Sequence, residues 1–191
     1  MANKESTFLN MVLTLFIITA IASLALGGIY ELTKEPIALA KKAKQEAAIK
    51  TVIPDFDRLE SFRVMPQGGT DSLTFFKGFK GDELVGTAIS TYSNEGYDPT
   101  QIQVMVGILP DGSIINTVVT QHKETPGLGT KMSDPSFKNQ FKNKNPGDFE
   151  LMVKKDGGDV DAITAATITS RAFCDALSRA YETYEKEGGD K

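Results

Sequence analysis

Residue types that build metal centres and disulfides are almost missing from this chain. Of its 191 residues one is a cysteine, one is a histidine and none is a tryptophan. A single cysteine, Cys174, excludes an internal disulfide and a metal site made of cysteines alone. A single histidine, His122, excludes a metal centre with several histidine ligands. We therefore predict no metal site and expect Cys174 to be a buried, inert thiol.

Excess positive charge is missing as well. The chain has 21 lysine and arginine residues against 25 aspartate and glutamate residues, which gives a net charge of −4 and a pI of about 5.1. Nucleic-acid-binding domains are usually basic, so we expect no nucleic-acid partner. The length suits one membrane anchor followed by one domain of ordinary size.

An uncharged run of 23 residues extends from Phe8 to Tyr30. As a helix it would reach about 35 Å, enough to cross a bilayer with some tilt. The alternative is a cleaved signal peptide, but the run is long for one and its only basic N-terminal residue is Lys4, beside Glu5. The pattern therefore favours an uncleaved transmembrane helix over residues 8–30.

Residues 31–53 are predicted to form a stalk next to the membrane. Pro36 suits the first turn of a helix, an Ala- and Lys-rich helix is expected over residues 37–52, and Pro54 would end it. The lysines could contact lipid headgroups, although a solvated helix face is the favoured interpretation. Counted alone, these lysines would also keep the following domain in the cytoplasm, but large domains cross membranes largely regardless of flanking charge.

Residues 54–187 carry the pattern of a single mixed α+β domain. Two hairpins are predicted, with strands at 73–79 and 84–91 around a turn at 80–83, and strands at 102–109 and 113–120 around Pro110-Asp111-Gly112. Segment 133–148 is expected to be a short helix plus a loop. Alternation of apolar and polar residues predicts a half-buried strand from Phe149 to Val153. A last helix is predicted from about Thr169 to Glu185, and residues 188–191 are expected to be a disordered tail.

Hydroxyl-bearing and small residues crowd together between Asp161 and Ser170. Two interpretations of this cluster stay open from the residues alone. Thr167 or Thr169 could cap the last helix by accepting from its backbone N–H groups. Alternatively, a hydroxyl beside a helix start could hold a phosphate-linked cofactor. A threonine nucleophile is a distant third possibility, because no histidine base is near in the sequence.

A second segment of interest, Glu124-Thr125-Pro126-Gly127-Leu128-Gly129, follows the strand at 113–120. Pro126 fixes one backbone dihedral angle, while the two glycines permit a positive φ and close backbone approach. Such a rigid loop, with exposed N–H groups and one apolar residue, could lie against a flat ring. An ordinary strand-to-helix turn is the alternative.

Together, the two segments resemble the FMN-binding domain family. Its flavinylation motif has seven positions: Asp, two variable residues, then Ser or Thr, then Gly or Ala, then Ala, and finally Thr. The second signature of the family matches the loop at 124–129. The motif positions fall here on Asp161, Thr164, Ala165, Ala166 and Thr167. Alanine stands at 165, where glycine is most frequent in the family, and we expect it to be compatible with a helix start. With one N-terminal span, the chain is similar to the G subunits of Rnf-type ion-translocating electron transport complexes.

For the site, the resemblance implies FMN joined by a phosphodiester to the Oγ atom of Thr167. A separate flavin transferase would make this bond, so Thr167 needs no base of its own. Thr164, Ala165, Ala166 and Asp161 would shape the attachment loop. The residues implied to support the isoalloxazine ring are Glu124, Thr125, Gly127, Leu128 and Gly129.

For function, the resemblance implies a flavoprotein subunit that passes electrons within a ferredoxin:NAD complex and is not catalytic alone. It implies the other subunits of that complex as partners. It also implies a single-pass protein of the bacterial inner membrane, with the soluble domain on the periplasmic side. Two alternatives remain: a protein like the C subunit of the sodium-pumping NADH:quinone reductase, and an anchored binding module without a cofactor.

Overall fold

One long helix, α1 (Phe8–Val52), begins the part of the chain that the computed structural model describes, residues 7–187. Within these residues it is the one helix long and apolar enough to cross a bilayer. The helix runs without interruption through Pro36, so the expectation of a separate helix beginning there is wrong. Good helix formers on both sides outweigh the one hydrogen bond that proline removes.

The C-terminal unit, residues 45–191, contains a five-stranded antiparallel sheet. Its strands are neighbours in chain order, so every connection joins adjacent strands. The strands are β1 (Arg58–Val64), β2 (Leu73–Lys80), β3 (Glu83–Ser93), β4 (Ile102–Ile108) and β5 (Ile114–Gln121). Both predicted hairpins are confirmed, β2 with β3 and β4 with β5.

Helices cover both faces of this sheet. The last helix, α3 (Thr167–Lys186), packs against β3 and β4, and its apolar face buries Phe173 and Leu177 in the larger core. The last residues of α1 lie in a second core on the other face. The buried members of that second core are Ala48, Ile49, Val52, Ile53, Phe76, Ala88 and Met105.

Short helical turns connect β5 to α3, as predicted for segment 133–148. They are a 3₁₀ turn (Gly129–Ser133), the one-turn helix α2 (Pro135–Lys138) and a second 3₁₀ turn (Asn139–Phe141). Phe137 and Phe141 pack edge-on against each other, with ring centroids 5.5 Å apart. Both also contact Phe173 of α3, so these turns are fixed to the main core.

The predicted strand from Phe149 to Val153 is wrong. Val153 forms only an isolated parallel bridge with Val160, and the backbone around it bonds locally, as in Lys154 N–H to Val160 O at 2.8 Å. Leu151 and Val153 are buried because the segment packs against the core. The apolar alternation therefore reflects contact with the core, without a strand ladder.

The α+β fold class, with one N-terminal apolar helix, is confirmed. The last helix begins at Thr167, two residues before the expected start, which places Thr167 inside it. The predicted tail, residues 188–191, lies outside the described residues. The division into segments 8–30, 31–53 and 54–187 stays a prediction.

Candidate cofactor-binding site

Two segments far apart in the sequence, the loop after β5 and the start of α3, form a cleft of about 560 Å³. This volume is typical of small-molecule and cofactor sites. The cleft brings most of the predicted site residues together. Its lining consists of Tyr97, Glu124, Thr125, Leu128, Gly129, Ala165, Ala166, Thr167, Ile168 and Thr169.

Apolar side chains are unusually exposed in this cleft. Tyr97 is 70% exposed, Leu128 40% and Ile168 46%. They make up three of the seven large apolar side chains that are exposed after the end of α1 in the described chain. Apolar walls beside a few polar groups are typical of small-molecule and cofactor sites.

The start of α3 has no side-chain cap. Ala166 occupies the N-cap position, and Thr167 is the first helical residue. The expectation that Thr167 or Thr169 caps the helix is therefore wrong. In the part of the chain that the structure describes, the half-buried hydroxyl of Thr167 makes no hydrogen bond. It lies beside first-turn N–H groups that have no partner within the helix, a position that favours an anion.

The turn before α3 is held by Ser170 in the helix. The Ser170 Oγ atom accepts a hydrogen bond from the N–H of Ile163 at 2.9 Å and donates to the carbonyl of Ala166 at 3.0 Å. Between them, Ala165 has a φ of 63°, in the left-handed region. That region favours glycine, so alanine at 165, although it is present beside the helix start, holds a strained backbone conformation.

Glu124 is buried in the wall of the cleft, with 4% of its surface exposed. Its Oε2 atom accepts a hydrogen bond from the hydroxyl of Thr169 at 2.6 Å, and its Oε1 atom accepts from the N–H of Asp98 at 3.3 Å. A Cβ atom on Gly129 would lie 2.6 Å from Oε2, and one on Gly96 would lie 2.7 Å from Oε1. Glycine at these two positions therefore makes room for the carboxylate.

The rest of the loop closes on itself. The N–H of Leu128 donates to the carbonyl of Thr125 at 3.2 Å, and the N–H of Gly127 donates to Oγ1 of Thr130 at 3.0 Å. Gly127 has a φ of 74°, which explains the need for glycine. Gly127 is not among the cleft-lining residues, whereas Leu128 and Gly129 are.

Two predicted site residues lie outside the cleft. Asp161 and the exposed Thr164 line a separate hollow of about 360 Å³. The carboxylate of Asp161 pairs with Lys154 at 2.8 Å. The backbone N–H and carbonyl of Asp161 are both bonded to the Gln140 amide, at 2.8 and 3.2 Å. Asp161 therefore fixes the segment before α3 from outside the cleft.

Sequence reasoning missed Tyr97, Ile168 and Thr169 as cleft residues. The sequence gives no signal that Thr169 reaches Glu124, because the two lie 45 positions apart. The available signal for Tyr97 was an aromatic residue directly after a glycine, Gly96.

Two ionisable groups in and near the site are perturbed. Hydrogen bonds from the hydroxyl and N–H of Thr100 hold the pKa of Asp98 below its ordinary 3.8. Burial raises the pKa of the Cys174 thiol to about 12. The expectation of a buried, inert cysteine is confirmed.

Comparison with known proteins places the cleft in a known domain. The FMN-binding domain family matches residues 96–182, a range that contains every cleft-lining residue. The crystal structure of Shewanella oneidensis NqrC aligns with 71% of this chain and 66% of its own, with a TM-score of 0.44 and 24% identity.

Relatives match over nearly the whole chain. The G subunit of the ion-translocating oxidoreductase complex of Methanosarcina acetivorans is 32% identical, with 98% of each chain covered. The G subunit of the corresponding complex of Salmonella typhi is 36% identical over 80% of this chain and 79% of its own. The G subunit of the proton-translocating ferredoxin:NAD(+) oxidoreductase complex of Clostridium ljungdahlii is 28% identical over 95% of this chain and 92% of its own. The chain therefore belongs to the family of G subunits of ion-translocating oxidoreductase complexes, with an FMN-binding domain over residues 96–182.

Proposed function

We propose that this chain is a membrane-anchored flavoprotein subunit that passes electrons through FMN within an ion-translocating, Rnf-type ferredoxin:NAD oxidoreductase complex. The carrying observation is the Thr167 hydroxyl, which has no partner in the described chain, at the start of α3 and in the wall of the cleft. The other subunits of the complex are its partners, and the chain is not catalytic alone. The alternative of a C subunit has less support, because the three relatives compared above, which match over most of their length, are all G subunits.

The cleft fits FMN on three observations. Its volume suits a cofactor, its exposed apolar side chains suit a flat ring, and the first turn of α3 offers N–H groups to a phosphate. When bound, FMN supplies the electron-transfer chemistry, while the protein supplies binding, orientation and electrostatics. The chain's own contribution is to hold the ring in the cleft and to exclude water from its apolar wall.

Attachment is proposed at the Thr167 Oγ atom, through a phosphodiester made by a separate flavin transferase. The phosphate would stay negatively charged beside the helix start, where the helix dipole and the unpaired N–H groups of the first turn stabilise it. Asp161 and Thr164, which face the neighbouring hollow, are proposed to shape the loop for the transferase. Leu128 and Ile168 would contact the ring.

We place α1 in the bacterial inner membrane as a single span, in contact with lipid, and the domain from residue 45 onward on the periplasmic side. Covalent attachment suits that side, because free FMN from the cytoplasm is not available to replace a lost cofactor. A topology reporter fused after Lys191 tests the placement. Reporter activity on the cytoplasmic side would contradict it.

The attachment site is tested by substitution at Thr167 in a host that has the transferase. The wild-type chain should fluoresce on a denaturing gel and carry the mass of FMN less water. Thr167→Ala should lose both signals while its thermal unfolding stays close to that of wild type. Thr167→Ser, which keeps a hydroxyl, should retain them.

Ser178→Ala is the matched control for that experiment and should keep both signals, since it removes a half-buried hydroxyl of α3 that lies outside the cleft. If Thr167→Ala still carries flavin, the cofactor is attached at another residue and the proposal for Thr167 is wrong. A wild-type chain without flavin would favour the cofactor-free binding module.

A further inference from the structure

Glu124 is the one buried ionisable side chain with a formal charge among residues 7–187. Keeping a carboxylate out of water is costly, and glutamine would keep the shape without the charge. The surroundings fit this side chain closely, since a Cβ atom at position 96 or 129 would collide with the carboxylate of Glu124. The carboxylate therefore needs an explanation beyond packing.

The charge of Glu124 is not neutralised by a cation. No lysine, arginine or histidine nitrogen of the described chain forms an ion pair with it. Its partners are neutral donors, the Thr169 hydroxyl at 2.6 Å and the Asp98 N–H at 3.3 Å. These two hydrogen bonds fix the position of the carboxylate in the wall of the cleft.

The carboxylate also lies where a cofactor would feel it. Glu124 lines the same cleft as Leu128, Ile168 and Thr167. Inside a partly enclosed, apolar site a charge acts more strongly than it would in water. A fixed negative charge opposes the addition of electrons to a neighbouring ring.

We infer that Glu124 sets the reduction potential of the cofactor in this cleft, and that its negative charge, held by Thr169, lowers that potential. This inference rests on the proposed flavin function. It assigns Glu124 a role distinct from packing the loop, since glutamine would fill the same space without the charge.

The test is the reduction potential of the full-length, flavin-loaded protein in detergent, measured by spectroscopic titration at constant pH. Glu124→Gln removes the charge and keeps an acceptor for Thr169. We expect its potential to rise by about 30 mV or more, which is a tenfold change in the two-electron equilibrium constant. Glu124→Asp keeps the charge and should stay closer to wild type than Glu124→Gln does.

Glu182→Gln is the matched control, because it also removes one negative charge. Glu182 is exposed and lies in α3, 13 residues after Thr169. At about 1.5 Å per residue this is roughly 20 Å from Thr169, so its potential should be unchanged. Equal potentials for Glu124→Gln and wild type would overturn the inference.

Intact mass separates the two levels of the proposal. A wild-type chain that carries no flavin removes the proposed function and this inference together. A loaded Glu124→Gln chain with an unchanged potential removes this inference alone. If Glu124→Gln and Glu124→Met both fold but stay unloaded while Glu124→Asp loads, the carboxylate serves attachment and the inference about potential is wrong.

Discussion

At the residue scale, the turn from Ile163 to Ala166, just before α3, carries a strained position. Ala165, with φ of 63°, is one of two non-glycine residues with positive φ in the described chain, and it lies between the tightly held Ile163 and Ala166. The backbone bond from the Ala166 N–H to the Ile163 carbonyl, 2.9 Å long, closes the turn around it. Strain of this kind persists only where the surrounding contacts fix the backbone.

Ala165→Gly should therefore stabilise the chain. Removing the Cβ atom relieves the left-handed strain, which is partly offset by the greater freedom of glycine in the unfolded chain. We expect the free energy of unfolding to rise by about 0.5–1 kcal/mol. Urea unfolding of the detergent-solubilised protein measures it. Ala162→Gly, at an exposed position without positive φ, is the control and should not stabilise.

The sequence could predict Thr167 but not its surroundings. Thr167 lies in a local motif, so its spacing from Asp161 and Thr164 is visible in one segment. The contact between Thr169 and Glu124 depends on the packing of α3 beside the loop after β5, which no local pattern encodes. The unexpected split of Asp161 and Thr164 from the cleft has the same cause.

At the element scale, an ion pair joins the 3₁₀ turn Lys154–Asp156 to α3. The guanidinium of Arg171 binds both oxygens of Asp156, at 2.6 and 2.8 Å. The hydrogen bond from Arg171 holds the pKa of Asp156 below its ordinary 3.8, and the same pairing raises the pKa of Arg171. Asp156 belongs to a 3₁₀ turn (Lys154–Asp156), so the pair fixes that turn against the helix.

The contribution of this pair should depend on pH. Because the pKa of Asp156 is lower in the folded chain than in the unfolded one, its stabilisation is present above pH 3.8 and is lost as the pH falls through the lowered value. Asp156→Asn should therefore be less stable than wild type at pH 7, and the difference should shrink toward pH 3. Urea unfolding at the two pH values measures this.

Asp148→Asn is the control for that pH dependence, because Asp148 is an exposed carboxylate outside any ion pair of the described chain. A loss of stability in Asp156→Asn that is equal at both pH values would contradict the assignment.

Local turn signals explain which elements the sequence could predict. Pro110-Asp111-Gly112 and the turn at 80–83 fixed two hairpins, because each turn and its flanking strands are close in sequence. The interval from Phe149 to Val153 carried the right alternation for a strand but had no neighbouring strand to pair with. Pro36 marked a helix start by local rules, yet the helix formers around it continue α1.

At the scale of the whole molecule, the end of α1 is part of the core of the C-terminal unit. The compact C-terminal unit begins at residue 45, and Ile49, Val52 and Ile53 are buried in its second core. The contact is close, since a Cβ atom on Gly107 of β4 would lie 1.8 Å from the Val52 carbonyl oxygen. The Asn116 amide also donates to the Thr51 carbonyl at 3.3 Å.

Truncation tests whether these residues belong to the domain. A chain that begins at Gln45 keeps Ile49, Val52 and Ile53, so we expect it to fold and to unfold cooperatively in urea. A chain that begins at Pro54 loses all three. Burial of each is worth about 1.5–3 kcal/mol, and the sum is comparable to the whole stability of a typical domain. The shorter chain should therefore fail to fold, or unfold at much lower urea. Equal midpoints for the two chains would show that the sheet needs no cover from α1 and that the domain begins after the helix.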